Sequence, residues 1–258
     1  MLSEIVERTR ERIEFEKSVI TLDELKVQVS YLNTCYDYPF KKALMNEGMS
    51  IIAEVKKASP SKGLIADDFN PVLIAKEYEL GGADAISVLT EPYFFRGDDD
   101  YLKDIASNVN VPVLRKDFIV DEYMIYQSKL LGASAVLLIA AVLDIVALKK
   151  YLDLAHQLGL SAIVEVHDAD EMRKALNVGA EIIGVNNRDL TNFTVNIENS
   201  IDLRRCAGHD IIFISESGIK TKEDIIKLKE NDVDAVLIGE TLMRSDDKSA
   251  KIQELKNE

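Results

Sequence analysis

From Ile51 onward the chain alternates between short, unbroken apolar runs and longer stretches in which apolar residues recur every three or four positions. The runs are IIAEV (51–55), DAISVL (84–89), VPVLR (111–115), SAVLLIA (134–140), SAIVEV (161–166), EIIGV (181–185), IIFIS (211–215) and DAVLIG (234–239). They are rich in Val and Ile and apolar at successive positions, so they predict strands covered on both faces, as in a parallel sheet. The stretches between them, among them PVLIAKEYELGG, DEYMIYQSKLLG, DIVALKKYLDLAHQLG and DADEMRKALNVG, predict amphipathic helices. Asn70 followed by Pro71 is a helix start. Gly82-Ala83, Gly132-Ala133 and Gly179-Ala180 each precede a strand, where Gly ends a helix in the left-handed conformation.

Eight such strand–helix units close most economically into a barrel, so the expected class is α/β, a (β/α)₈ TIM barrel. An open doubly wound sheet would show fewer units and a Gly-rich dinucleotide turn, and no G-x-G-x-x-G is present. Residues 1–48 carry a different pattern, SEIVERTRERIEFEKS, TLDELKVQVSYL and a segment ending at PFKKALMNEG, and read as helices. The expectation is one barrel domain over 1–258, with 1–48 a helical extension packing over it.

Composition narrows the function. Hydrophobic residues make up 47 % of 258 positions, enough for a large core. Against 31 Lys and Arg stand 45 Asp and Glu, a net charge of −14, which disfavours a nucleic-acid surface and an anionic membrane. An anionic substrate would need a local positive site. No apolar run approaches the ~20 residues of a membrane span. The charged, amphipathic N-terminus reads as a helix and not a signal peptide. Cys35 and Cys206 lack metal-ligand spacing and read as unpaired thiols of a reducing, cytoplasmic compartment.

In a barrel of this kind the chemistry sits at the C-terminal ends of the strands. The first run ends in Glu54-Val55-Lys56, whose alternation points both charges the same way, into the barrel or toward the helices. The third ends in Leu114-Arg115-Lys116-Asp117-Phe118, where Lys116 suits a proton donor, a Schiff-base nucleophile or a phosphate contact. The fifth places Glu165 inside an apolar run, with His167 beyond it read as structural. The sixth leads into Asn186-Asn187-Arg188-Asp189. Here Arg188 can grip a carboxylate by two points, Asn186 offers donor and acceptor together, and Asp189 reads as a turn cap. The last two end in Glu216-Ser217-Gly218 and Gly239-Glu240-Thr241, the usual phosphate cradle of the fold. Glu240 would repel a phosphate, so its contribution is expected from the backbone N–H. Two lysines, several carboxylates, an Arg and an Asn beside a phosphate cradle suit acid–base chemistry on a phosphorylated carbonyl compound. No metal or redox cofactor is called for.

IIAEVKKASPSKG resembles the opening of the indole-3-glycerol-phosphate synthase family. So do SVLTEPYFFRGD, VPVLRKDFIVDEYMIYQ, GASAVLLIAAVL, IVEVHD, IGVNNRDL, ISESGI and VLIGETLMR, in that order, from about residue 5 to about 245. Another barrel of the same pathway, phosphoribosylanthranilate isomerase, uses a Cys near the first strand, and none stands there. The resemblance implies ring closure, decarboxylation and dehydration of 1-(2-carboxyphenylamino)-1-deoxyribulose 5-phosphate, a carboxy-lyase step of tryptophan biosynthesis. It implies Lys116 as general acid, Glu165 as acid–base partner in the dehydration, and Lys56 as the second lysine, at the phosphate end. Glu54, Ser59 and Asn186 match the carboxyphenyl side, and Arg188 and Glu216 match residues that orient this network. Ser217, Gly218, Gly239 and Glu240 match the phosphate positions. Glu240 departs from the Ser of some members. Pro60, Leu89, Phe95, Phe118, Leu137 and Leu190 match an apolar pocket for the ring. The expected chain is a monomer, with weak association with other tryptophan-pathway enzymes as an open possibility. Protonating a carbonyl near neutral pH calls for a lysine whose pKa is lowered by burial or a neighbouring cation.

Overall fold

Each of the eight apolar runs forms a strand, and the eight close on themselves. The computed structural model describes residues 1–32, 34, 36–66, 68–189 and 193–256. In chain order the elements are α1 (Leu2–Val19), α2 (Leu22–Ser30), α3 (Pro39–Ala43), β1 (Ser50–Val55), β2 (Ala58–Ser59), β3 (Gly63–Leu64), α4 (Pro71–Leu80), β4 (Ala85–Leu89), α5 (Asp99–Ala106), β5 (Val113–Lys116) and α6 (Glu122–Leu130). They continue with β6 (Ala135–Ile139), α7 (Ile145–Gln157), β7 (Ser161–Val166), α8 (Ala169–Asn177), β8 (Ile182–Asn186), α9 (Glu198–Arg204), β9 (Ile212–Glu216), α10 (Lys222–Lys229), β10 (Ala235–Ile238), α11 (Glu240–Met243) and α12 (Lys248–Lys256). The barrel order is β1-β10-β9-β8-β7-β6-β5-β4, parallel throughout, with β1 pairing both β10 and β4. Together these make a (β/α)₈ barrel with helices ahead of it.

The local signals act as their chemistry requires. Asn70 accepts from the Leu73 N–H with Pro71 in the first helical position. Gly82, Gly132 and Gly179 have φ of +89°, +85° and +79°. The β2–β3 hairpin is an addition to the expected elements, and it carries Ser59 and Pro60 up beside the barrel mouth. At two residues per strand its pattern is too short to read as periodicity.

Strand alternation decides which residues reach the interior. Ile52, Ala85, Leu114, Leu137, Ile163, Ile182, Ile214 and Leu237 pack together inside the barrel. Counting in twos from these, Glu54, Lys56, Leu89, Lys116, Glu165, Asn186, Glu216 and Gly239 all point inward at the strands' C-terminal ends. The direction left open for Glu54 and Lys56 is therefore the interior. Register sets Glu165 opposite Gly184 and Asn186 opposite Glu216.

The N-terminal helices serve both ends of the barrel. Phe40 and Leu44, at and just after α3, join the interior cluster at the N-terminal end of the strands. Met1, Leu2 and Ile5 reach the opposite end. There Arg12 donates to buried Asp117 at 2.8 Å and to the Thr90 carbonyl at 3.3 Å. Among the described residues no helix is long and apolar enough to cross a membrane.

Candidate active site

The inward-facing strand ends open into a cavity of about 940 Å³. At its centre the Lys116 ammonium donates to Glu165 Oε2 at 2.7 Å and to Glu216 Oε2 at 2.5 Å. Glu216 fits because Gly184 on the adjacent strand has no side chain; a Cβ there would run into the carboxylate. Asn186 Nδ2 donates to Glu165 Oε1 at 3.3 Å, and Asn186 Oδ1 accepts from the Ser217 hydroxyl at 3.0 Å. Lys116, Glu165, Glu216, Asn186 and Ser217 are thus tied into one hydrogen-bonded chain. His167 stands beside it, bonded through Nδ1 to Glu171 at 3.1 Å with Nε2 3.6 Å from Glu165.

The expectation of a lysine with a lowered pKa is overturned. Burial does push the Lys116 ammonium toward its neutral form, but Glu165, Glu216 and Glu54 outweigh it, and the net shift is well upward. The carboxylates divide. Burial opposes ionisation of Glu165, yet Lys116 and His167 hold its pKa below the ordinary value. Burial dominates at Glu216, with Lys116 resisting and Glu165 adding repulsion, and its pKa is pushed up to about 7.

The raised Glu216 pKa has a stability consequence. The folded state binds more protons than the unfolded between pH 4.5 and about 7, so this contribution is present below 4.5 and lost as pH rises through 7. Glu216→Gln removes the titration. The Tm of the variant relative to wild type is expected to rise between pH 5 and pH 8. A flat difference across that range contradicts the assignment.

A second pair sits against the end of β10. Lys56 Nζ donates to Glu54 Oε1, and the α-carbon of Gly239 lies so close that a Cβ would strike both side chains. Gly239→Ala is therefore expected to displace the Lys56 ammonium and raise the KM for a phosphorylated substrate at least tenfold. An unchanged KM in a folded variant contradicts the crowding. Ser217 and Gly218 follow β9 with φ of +69° and +93°, and both line the cavity. Glu240 starts α11, its carboxylate accepting from Arg244 Nε at 3.1 Å with Lys62 Nζ at 3.8 Å. Those cations offset its charge at the mouth. Lys56, Lys116 and Arg188 line the same cavity and are cations within reach of an anion in a chain of net charge −14.

The apolar wall is formed by Pro60, Leu89, Phe95, Phe118 and Leu137, with the rings of Phe95 and Phe118 6.0 Å apart. Ser59 also lines the cavity. Arg188 lines the cavity while its guanidinium donates to the Phe193 carbonyl at 3.4 Å. The Asp189 N–H donates to the Thr194 carbonyl at 2.9 Å, and its carbonyl accepts from the Phe193 N–H at 2.8 Å. Leu190, expected on the apolar wall, lies outside the described residues, as does Cys35.

Comparison with known proteins meets this geometry over its whole length. The family model described as indole-3-glycerol phosphate synthase matches residues 2–255. The chain belongs to the indole-3-glycerol phosphate synthase family. The synthase of Endomicrobium trichonymphae is 53 % identical, covering 100 % of both chains. That of Ruminiclostridium cellulolyticum is 49 % identical over 99 % of this chain and 98 % of the other. Solved structures show the same barrel at low identity. A 3-hexulose-6-phosphate synthase from Salmonella typhimurium superposes with a TM-score of 0.65 at 17 % identity, covering 81 % of this chain and 97 % of the other. KGPDC from Streptococcus mutans gives 0.64 at 10 %, covering 81 % and 96 %. These share the fold alone. Neither covers the whole of this family member.

Several residues that build the site were not read from the sequence. Arg115 and Asp117 flank Lys116 and point the other way, into a buried network. Arg115 donates to Asp99 at 2.7 Å, to Gln127 at 2.7 Å and to Thr90 Oγ1 at 3.0 Å, and Thr90 donates to Asp117 at 2.6 Å. Asn187 bonds the Ser215 hydroxyl and the Ser217 carbonyl and so sets the turn after β9. The signal for the first group was present: opposite charges two apart, out of phase with Lys116, on a strand with both faces covered.

Proposed function

We propose that this chain is an indole-3-glycerol phosphate synthase, a carboxy-lyase that closes, decarboxylates and dehydrates 1-(2-carboxyphenylamino)-1-deoxyribulose 5-phosphate. The observation that carries the reading is the Lys116 ammonium held between Glu165 and Glu216, with an aromatic wall on one side and the Lys56–Gly239 corner on the other. The phosphate goes to Lys56, the turn at Ser217 and Gly218, and the backbone at Gly239 and Glu240. The aromatic ring goes against Phe95 and Phe118. Anchoring both ends holds the ribulose carbonyl against the ring carbon that attacks it.

The ring carbon bearing the carboxylate forms a bond to the ribulose carbonyl carbon, and the carbonyl oxygen takes the proton of Lys116. A lysine of raised pKa is suited to this step. It is loaded with its proton throughout the working range, and the forming alkoxide is a stronger base still. The bond to the carboxylate then breaks, its electron pair returns to the ring, and carbon dioxide leaves. The hydroxyl departs as water on a second proton, from Lys56, and Glu165 takes the proton from the neighbouring carbon to complete the indole. Two protons are given and one is recovered, so each turnover draws one from solvent. Glu54 holds Lys56, while Asn186 and Glu216 hold Glu165 and Lys116. In this reading residues 1–258 work as one barrel unit with α1 over its mouth.

Mixing the protein with the substrate and following indole fluorescence tests the assignment. Steady product formation is expected; no turnover by well-folded protein overturns it.

A further inference from the structure

We propose that Glu91 is a positioning residue for the aromatic half of the substrate: its buried carboxylate folds residues 91–97 into the turn that sets Phe95 against Phe118. The inference deepens the function proposed above and rests on it. Residues 91–97, EPYFFRG, connect β4 to α5. Glu91 is 0 % exposed, although it lies in a loop. A carboxylate so buried is costly unless hydrogen bonds replace its water.

They do, and they come from the loop's own backbone. Oε1 accepts from the Tyr93 N–H at 3.0 Å. Oε2 accepts from the Phe94 N–H at 2.8 Å and the Phe95 N–H at 3.0 Å. The Gly97 N–H closes the turn on the Glu91 carbonyl at 2.8 Å. Three successive N–H groups converge on one side chain, so that side chain sets the backbone direction of three successive residues. The last of them is Phe95.

The turn carries strain that something must hold. Arg96 has φ of +52°, in the left-handed region that non-Gly residues seldom occupy. Gly97 lies so close to the backbone of Leu89 and Thr90 that a Cβ there would collide. Such conformations persist where the surroundings over-determine them, and charge-assisted hydrogen bonds are the strong kind. The beneficiary is the ring pair. Phe95 and Phe118 stand 6.0 Å apart at 38°, and both face the cavity. Phe118 is fixed separately, its N–H donating to Asp117 at 2.8 Å. The aromatic wall thus has two halves, one tied to β5 and the other held by Glu91.

The test uses the full chain and four proteins: wild type, Glu91→Gln, Phe95→Ala and the double variant. Gln keeps the size of the side chain but turns an N–H₂ against backbone N–H groups. Two probes are titrated: the substrate with its carbonyl reduced to an alcohol, which cannot cyclise, and inorganic phosphate. Glu91→Gln is expected to weaken binding of the reduced substrate about tenfold while phosphate binding stays within twofold. The double variant is expected to bind the reduced substrate no more weakly than Phe95→Ala, because Glu91 acts through Phe95. Unchanged binding by folded Glu91→Gln overturns the proposal. So does equal weakening of both probes, or multiplication of the two effects in the double variant. If Glu91→Gln does not fold, Glu91→Asp, which retains the charge on a shorter arm, is expected to weaken the reduced substrate about threefold. Wild-type affinity in that variant overturns the proposal as well. Wild-type protein that binds the reduced substrate but forms no indole sinks the reaction assigned above while leaving the Glu91 comparison readable.

Discussion

Lys116→Ala is expected to lower kcat by about 10³-fold or more, the range of a lost general acid, while substrate binding remains measurable. The ammonium makes two close charge contacts, at 2.7 Å to Glu165 and 2.5 Å to Glu216. Its removal takes away the proton donor. It also leaves Glu165 and Glu216 together without their shared ammonium, which favours protonation of one of them. The proposed phosphate and ring contacts lie elsewhere, at Lys56 and Gly239 and at Phe95 and Phe118, so affinity is expected to fall less than about tenfold. Single-turnover kinetics with a fluorescence titration separates the two quantities. Lost binding with kcat intact contradicts the general-acid role.

The second large effect concerns stability. Arg115 is wholly buried and bonded to Asp99, Gln127, Thr90 and the Met124 carbonyl, with Asp117 at 3.4 Å. Arg115→Met keeps much of the volume but strands buried acceptors. Breaking one partner of a buried ion network costs about 3–5 kcal/mol. In a chain of this size, at ~2–4 °C per kcal/mol, the Tm is expected to drop by roughly 10 °C. The network reaches α1 through Arg12, which donates to the same Asp117, so the loosening should extend to the N-terminal helix. Hydrogen exchange of α1 should accelerate with the Tm loss. A Tm within about 2 °C of wild type contradicts the view that this network holds the end of β5.

The strands were legible because both faces are covered and the apolar runs are unbroken. Their ends were legible too, since charged residues in such runs are costly and therefore informative: Glu54, Lys116 and Glu165 all came from that reading. What the sequence hides is set by pairing across long separations. Lys116 and Glu216 are 100 residues apart, so the direction of the Lys116 pKa shift depended on a partner that composition does not reveal. Burial or a neighbouring cation argued for a lowered value, and three carboxylates, Glu165, Glu216 and Glu54, reversed it. Glu91 was overlooked for a related reason. Only the backbone N–H groups of Tyr93, Phe94 and Phe95 show why it is inside. The β2–β3 hairpin is too short to carry a period. Glu240 is expected to act through its backbone N–H, and its side chain accepts from Arg244.

The most direct test follows the substrate's carboxyl carbon. With that carbon isotopically labelled, wild-type protein should release one labelled carbon dioxide for each indole formed, both rising with the same rate constant, and Lys116→Ala should abolish both together. Carbon dioxide without indole, indole without carbon dioxide, or neither from folded wild-type protein would contradict ring closure on this barrel.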